Sequence, residues 1–373
     1  MSIATHVPEN TSPIHGEIRP LRIGMIAPPW FELPPKGYGG TEAVVAALTD
    51  QLVLRGHQVV LLSAGRNGTQ AQQHISVFER PPSEMLGADP MPEVIAAAQT
   101  AQALRDLDLD IVHDHSLAGP LLAAGRQMPT VTTMHGPVTG LNGEYFRRLG
   151  AAVDIIAISD AQRRLAPDLN WIGTVHNAVD VASFPYREDK EDFLLWIGRF
   201  SPDKGAHLAI DAARAAGRRI VLAGKLSEAP EQKYFDEQVR ARLGADAEYV
   251  GEADAVLKRE LFSQASALMF PIQWEEPFGM VMVEAMACGT PVIATCRGSV
   301  PEVVAEGISG IVVDRVDQLP GAVARACALD PRTIRAWAEQ RFDLPVMAEG
   351  YERIYRVLVE GTQNIQDLAS RAL

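Results

Sequence analysis

Cysteine is nearly absent: Cys288, Cys296 and Cys327 are the only three in 373 residues. So sparse and odd a set excludes a disulfide framework and offers no metal-ligand spacing. It points to a reducing cytoplasm as the protein's compartment. Long apolar runs are missing too. No stretch approaches the roughly 18 uninterrupted apolar residues of a membrane-spanning helix, so no transmembrane segment is expected. Residues 1–20 have no apolar core of the signal-peptide kind and no periodicity, and are expected to form a loose tail. Positive charge is in deficit, with 34 Lys and Arg against 47 Asp and Glu, a formal net charge of -13. This argues against nucleic acid as a partner, because phosphate backbones are held by Lys and Arg. It also argues against a polybasic membrane patch. The local pairs Arg147-Arg148 and Arg163-Arg164 read as solvated helix faces.

What is present is an ordinary globular composition, 47% hydrophobic and 22% charged, on a chain long enough for two lobes. From Leu21 onward, short β-rich runs alternate with helical ones. Strands are expected at Arg22–Ala27, Gln58–Ser63, Asp110–His113, Thr130–Thr133, Asp154–Ile158 and Gly173–His176. Thr41–Arg55 is the clearest helix, with Val44, Val45, Leu48 and Leu52 on one face and Gly56 as its stop. Met91–Leu107 is another. The rhythm pauses over the polar stretch 180–192, read as a linker. It then restarts with strands at Phe193–Ile197, Arg219–Ala223, Glu248–Val250, Leu268–Pro271, Val292–Ala294 and Gly310–Val313. The helices between them include Leu208–Ala216, Tyr234–Leu243 and Val256–Ala265. This order implies two α/β lobes with parallel sheets and a cleft between them, at the C-terminal ends of the strands.

Three segments carry chemistry. The first runs from Ala27 through the prolines to Gly39-Gly40-Thr41-Glu42, and opens the Thr41–Arg55 helix. Adjacent glycines let backbone amides approach a ligand, and the helix N-terminus suits a phosphate. The alternative is a Pro-rich surface loop with Thr41 as a cap; the dinucleotide fingerprint is lacking. The second is Gly198-Arg199-Phe200-Ser201-Pro202-Asp203-Lys204-Gly205, which ends the first strand of the second lobe. Two cations there can neutralise a departing diphosphate without a metal; the alternative is an ordinary charged loop. The third is Trp274-Glu275-Glu276-Pro277-Phe278-Gly279-Met280. Pro277 fits the first turn of a helix running to about Cys288, with Gly289 as its stop. Glu276 sits at the helix mouth, with the free amides of Phe278, Gly279 and Met280 beside it. Glu284 lies on the order of 10 Å farther along the helix. Each carboxylate can accept two hydroxyl hydrogen bonds at once; a salt-bridged core Glu is the alternative for Glu284.

These segments resemble the retaining glycosyltransferase family 4, whose GT-B fold consists of two doubly wound Rossmann-like lobes around a cleft. Glu276 and Glu284 match its E-x7-E pattern within EPFGMVMVEAMACGTPVIA. Arg199 and Lys204 match its diphosphate-binding pair, and Gly39-Gly40-Thr41-Glu42 its glycine-rich donor loop. His135, in Thr133-Met134-His135-Gly136, matches a first-lobe histidine that contacts the donor sugar. Asn177-Ala178-Val179-Asp180 resembles an N-G-V-D stretch at the lobe junction, with Ala178 in place of the usual glycine.

The resemblance implies a hexosyl transfer from a nucleotide-diphosphate sugar, UDP-linked by family frequency, to the hydroxyl of a small-molecule, glycan or lipid-linked acceptor, with retained anomeric configuration. Arg199 and Lys204 would hold the diphosphate with help from the Gly39 and Gly40 amides. Glu276 would bind the transferred sugar, Glu284 the ribose, and His135 the reacting centre. The loops at Gly224–Lys225 and Val250–Glu252 would lie near the base. No cofactor and no metal are implied. The lobes would span 21–180 and 181–345, with residues 346–373 crossing back onto the first lobe as a helix over Met347–Val359.

Two signals compete. Asp106-Leu107-Asp108-Leu109-Asp110 contains D-x-D twice, but on the N-terminal side of the sheet, away from ligand chemistry. His113-Asp114-His115 lacks a third metal ligand and reads as packed or cleft-lining. Two other function classes remain: a non-catalytic nucleotide-sugar binder on the same fold, and a nicotinamide-dependent oxidoreductase.

Overall fold

Parallel strands buried on both faces read as continuous apolar runs rather than alternating ones. Leu194–Ile197, Ala267–Phe270 and Val292–Thr295 are runs of this kind, buried along their whole length. The computed structural model describes residues 19–37 and 39–371. The expected N-terminal tail therefore lies outside the described residues except for its last two, as does Tyr38 in the glycine loop.

The described residues form two sheets in which every pairing is parallel. The first lobe contributes β1 (Arg22–Ile26), β2 (Gln58–Ala64), β3 (Gln73–Phe78), β4 (Ile111–Asp114), β5 (Thr130–Met134), β6 (Asp154–Ala157) and β7 (Trp171–Thr174), in the order β3-β2-β1-β4-β5-β6-β7. The second lobe contributes β8 (Leu194–Ile197), β9 (Ile220–Ala223), β10 (Ala247–Tyr249), β11 (Ala267–Phe270), β12 (Val292–Thr295) and β13 (Gly310–Val313), in the order β10-β9-β8-β11-β12-β13. Both are doubly wound. Strand order reverses between β1 and β4 in one lobe and between β8 and β11 in the other. Such reversal points open crevices at the strand C-termini. The Gly39 loop follows β1, and β4 carries His113 with His115 just past its end; the Arg199–Lys204 and Trp274–Gly279 segments follow β8 and β11.

Several expectations need correction. β3 was not anticipated. The helix expected over Tyr234–Leu243 begins earlier, at Ala229, and passes through a π turn at Phe235–Val239 into a 3-10 turn at Arg240–Arg242. The polar 180–192 stretch, read as the linker between the lobes, is anchored at its start: Val181 and Phe184 are buried in the second lobe's core. Arg335 donates to the carbonyls of Val181, Phe184 and Ala287 at 2.8–3.0 Å. The helix placed at Pro277 starts only at Met280. Gly279 precedes it at φ 77°, in the left-handed region, where a Cβ would come within 2.7 Å of the Met282 methyl.

The crossing helix is longer than expected, Leu344–Arg371, and so begins before residue 346. The chain leaves and re-enters the first lobe at one place, where the Val179 amide donates to the Phe342 carbonyl at 3.0 Å. Met347, Ala348, Tyr351, Tyr355 and Val359 then pack into the first lobe's core with Leu48, Leu52 and Ile23. Glu352 pairs with Arg55 at 2.7 Å on the same face. No described helix is long and apolar enough to cross a membrane.

Candidate active site

The second-lobe half of the cleft is built by loops that dock on one another. Gly205, at φ 68°, lies against the loop after β11; a Cβ there would stand 2.5 Å from the Pro271 carbonyl. The Gln273 amide donates to the Asp203 carbonyl at 2.7 Å, and the Trp196 indole to the Lys204 carbonyl at 3.1 Å. This close approach puts the Lys204 ammonium in hydrogen-bonded contact with Glu276 Oε2. The same oxygen accepts the Trp274 indole N–H at 3.1 Å, and Lys204 Nζ stands 4.8 Å from the centre of that ring.

Glu276 is only 8% exposed, and its main chain is clamped by a loop the sequence reading missed. Gly298 (φ 54°) approaches so closely that a Cβ would overlap the Glu276 nitrogen and carbonyl. The Ser299 amide donates to the Glu276 carbonyl at 2.9 Å, and its hydroxyl to the Phe278 carbonyl at 2.8 Å. Arg199, by contrast, is exposed and makes no ion pair among the described residues.

Glu284 lies in the second turn of Met280–Ala287, 8% exposed, with Lys258 Nζ 2.5 Å from Oε1. The salt-bridged alternative is therefore present, with the second carboxylate oxygen outside that pair. The Phe278 side chain is buried in the lobe's core, and its main chain is the part left at the helix mouth. Met280 packs partly buried against the same core, while Val250 is exposed just after β10. The two loops expected near a base are neighbours, joined by the Gly224 amide donating to the Gly251 carbonyl at 2.9 Å.

The first-lobe half is made differently. Gly39, at φ 138°, caps the Gly40–Leu54 helix, leaving the first-turn amides of Gly40 and Thr41 outside the helical ladder. His135 follows β5, and the loop carrying it is pinned by Gln162, whose side-chain amide donates to the carbonyls of Met134 and Gly136 at 2.8 and 2.7 Å. His135 Nε2 is 2.8 Å from His115 Nδ1. His113, one strand residue pair away, is fully enclosed. Its ring nitrogens lie 2.6 Å from the Tyr355 hydroxyl and 2.7 Å from that of Thr133, which donates to Tyr351. The crossing helix thus reaches the sheet directly beneath the histidines.

Burial holds His135 down at about 4 and pushes His113 and His115 well below the ordinary imidazole range, so all three are neutral at neutral pH. Asp114 faces elsewhere, to Ser116 and Arg126. The D-x-D stretch is occupied on the far side of the sheet, where Asp108 and Asp110 hold Arg22 and Arg19 at 2.6 Å.

The two halves meet. A space of about 240 Å³ is lined from one side by Pro137, Val138 and Thr139 and from the other by Trp274, Glu276 and Pro277. Glu302 bridges the lobes nearby, accepting from the Asp160 and Ala161 amides at 2.7 and 2.5 Å and pairing with Arg164. Burial alone would raise its carboxyl. Hydrogen bonds from His176 and those two amides outweigh it and hold the group below its ordinary value.

Known proteins are similar to this chain over most of its length. The description "Glycosyltransferase Family 4" matches residues 38–183, and "Glycosyl transferases group 1" matches residues 181–335. The two parallel-sheet lobes have the GT-B fold of glycosyltransferases of known structure. It is 27% identical to a glycogen synthase of Mycobacterium tuberculosis over 93% of this chain and 97% of that protein. It is 29% identical to a D-inositol 3-phosphate glycosyltransferase of Acidothermus cellulolyticus over 94% of each. The crystal structure of AviGT4, a glycosyltransferase involved in avilamycin A biosynthesis, superimposes with a TM-score of 0.68 at 29% identity, covering 92% of this chain and 99% of that one.

Proposed function

We propose that this chain transfers a hexosyl group from a nucleotide-diphosphate sugar, UDP-linked in the first instance, to an acceptor hydroxyl, with retention of anomeric configuration. The observation that carries the reading is the Lys204–Glu276 pair. It couples a cation and a carboxylate at the lobe interface, five residues along the chain from Arg199, which is exposed and makes no ion pair among the described residues. Lys204 and Arg199 meet the two phosphates, and Glu276 turns to the hydroxyls of the transferred sugar. The amides of Gly39 and Gly40, with Thr41, approach the diphosphate from the opposite lobe. The main chain of Phe278, Gly279 and Met280 faces the sugar at the helix mouth. Glu284 takes the ribose diol through its second oxygen, and Val250 borders the base.

In the reaction, the bond from the anomeric carbon to the phosphate oxygen breaks and its electron pair leaves with the nucleotide diphosphate. The acceptor oxygen bonds to that carbon on the same face, and its proton passes to the departing phosphate oxygen. Negative charge grows on the leaving group, where Lys204, held in place by Glu276, and the exposed Arg199 supply positive charge. These two cations supply the charge a divalent ion would otherwise supply, so the transfer needs no metal. His135, neutral and held by His115, contacts the sugar beside the reacting carbon.

The lobes are assigned as 21–180 and 181–345, with 346–373 returning to the first. A cytoplasmic setting accords with three free cysteines among the described residues. The test is release of nucleotide diphosphate from a panel of nucleotide sugars by the wild-type chain and by Glu276→Gln. Release that Glu276→Gln abolishes supports the transferase. Binding of a nucleotide sugar with no turnover identifies a non-catalytic binder instead.

A further inference from the structure

Glu276 and His135 face the cleft from opposite lobes, and the distance between the lobes decides whether one sugar can touch both. The chain crosses between the lobes at one place, so they are free to rock there unless something else ties them.

Glu302 is such a tie. It stands in the second lobe on the short helix Val300–Val303, whose Val300 and Val303 are buried in the same core as Phe278. Its amide donates to the Ser299 carbonyl at 2.9 Å. Ser299 in turn holds the Glu276 carbonyl through its amide and the Phe278 carbonyl through its hydroxyl. The Gly298 amide donates to Glu275 Oε2 at 2.8 Å. The Glu302 carboxylate is thus rooted in the loop that clamps Glu276.

The partners of that carboxylate lie in the other lobe. Oε2 accepts the Asp160 amide at 2.7 Å and stands 3.4 Å from His176 Nε2. Oε1 accepts the Ala161 amide at 2.5 Å and Arg164 at 3.1 Å. Next to Ala161 is Gln162, whose side chain holds the carbonyls on either side of His135 and accepts the Ile158 amide at 3.0 Å. Ser159 steadies this turn by accepting the Gln162 amide at 3.1 Å. A path of covalent and hydrogen-bonded links therefore joins Glu276 to His135 through Ser299, Glu302, Ala161 and Gln162.

A carboxylate suits this task. Two neighbouring amides need two acceptor oxygens. Glutamine, of the same size, offers one oxygen and turns an NH2 group on the other amide. Amide bonds to an ionised acceptor are also roughly twice as strong as neutral ones, and the Glu302 side chain is only 15% exposed. Glu302 lines neither the His135 cavity nor the space beside Glu276, but a separate hollow with Trp337 and Arg341. Its effect on a ligand therefore passes through other residues.

We propose that Glu302 is a positioning residue for the transfer: by holding the Asp160 and Ala161 amides it fixes the separation of Glu276 from His135 across the cleft. This role rests on the transferase reading of the cleft.

The test compares the full-length wild type with Glu302→Gln and Glu302→Ala. Nucleotide diphosphate release is measured from UDP-glucose, UDP-galactose, GDP-mannose and ADP-glucose, and nucleoside diphosphate affinity by calorimetry. A shift of about 1 Å between reacting groups costs up to about a hundredfold in rate, so kcat should fall at least about tenfold in Glu302→Gln and further in Glu302→Ala. Nucleoside diphosphate affinity should change by less than about threefold, because Arg199, Lys204 and Glu284 keep their places within one lobe. A wild-type kcat in Glu302→Ala overturns the proposal. So does a parallel loss of kcat and diphosphate affinity, which marks general damage to the fold. The tie is read separately from spin labels at Leu54→Cys and Val256→Cys, exposed sites on opposite lobes, with Cys296→Ser and Cys327→Ser. Glu302→Ala should broaden or shift the distance between the labels; an unchanged distance overturns the proposal whatever the rates. No release from any donor by the wild type overturns the transferase reading and the positioning role with it, and the label distance then shows whether the tie itself stands.

Discussion

The two walls of the cleft are chemically opposite. The second-lobe wall is ionic: Lys204 on Glu276, Lys258 on Glu284, and an exposed Arg199 in the same loop as Lys204. The first-lobe wall has no cation around its cavity among the described residues and is lined by two neutral histidines, His115 and His135, and two buried acids. The difference teaches a division of labour. On the proposed reading, the leaving diphosphate draws its positive charge from the second lobe, with first-lobe backbone amides assisting. On the same reading, the neutral first-lobe wall faces the reacting carbon through His135.

The largest expected effect falls on the ionic wall. Lys204→Ala and Arg199→Ala should each lower turnover at least tenfold, about 1.4 kcal/mol or more of barrier, in steady-state release of nucleotide diphosphate. Wild-type rates in both would remove the reason for placing the diphosphate there. On the opposite wall, His135→Ala should lower kcat with a smaller change in donor KM, since His135 acts at the reacting carbon and not on the phosphates. A pure KM effect would make it a binding residue only.

The protonation contrast can be read directly. An NMR titration should find the His135 imidazole neutral until about pH 4 rather than the ordinary 6.5, because burial disfavours its charged form. A midpoint at the ordinary value would mean the first-lobe wall carries positive charge under mildly acidic conditions. A gentler perturbation is Tyr355→Phe, which removes the hydroxyl beside His113 Nδ1. Loss of one buried hydrogen bond should cost about 1–3 kcal/mol of stability by denaturant unfolding. Donor KM should stay near wild type, because the second-lobe wall is untouched. The smallest expected effect is none: activity should survive EDTA, and a strict metal requirement would show that Lys204 and Arg199 do not suffice.

Much of this contrast was legible in the sequence, for a local reason. Parallel strands announce themselves as apolar runs, so both sheets could be placed. β3 escaped because it is an edge strand whose residues are mostly exposed or half-buried, giving QHISVF no apolar run to detect. The motif residues were visible because glycines, cations and acids cluster within short loops after strands. Their partners were not, because pairing is nonlocal. Lys258 meets Glu284 across 26 residues, Trp30 meets Glu93 across 63, and Glu302 reaches Asp160 across 142. Nothing in the sequence around Glu302 or Gln162 marks them as interlobe or loop-pinning groups. The late start of the helix after Pro277 had a local cause in Gly279, but a glycine's left-handed conformation becomes evident only once Met282 and Phe270 are packed around it.

The most direct test of the division between the walls is a thermal-stability titration with nucleoside diphosphates, run on wild type and on the Arg199→Ala, Lys204→Ala double variant. At a concentration about 100 times the dissociation constant, a true site stabilises the fold by roughly 2.7 kcal/mol. The account expects that stabilisation in the wild type, with UDP the first candidate, and its loss in the double variant. A double variant stabilised as strongly as wild type would contradict it.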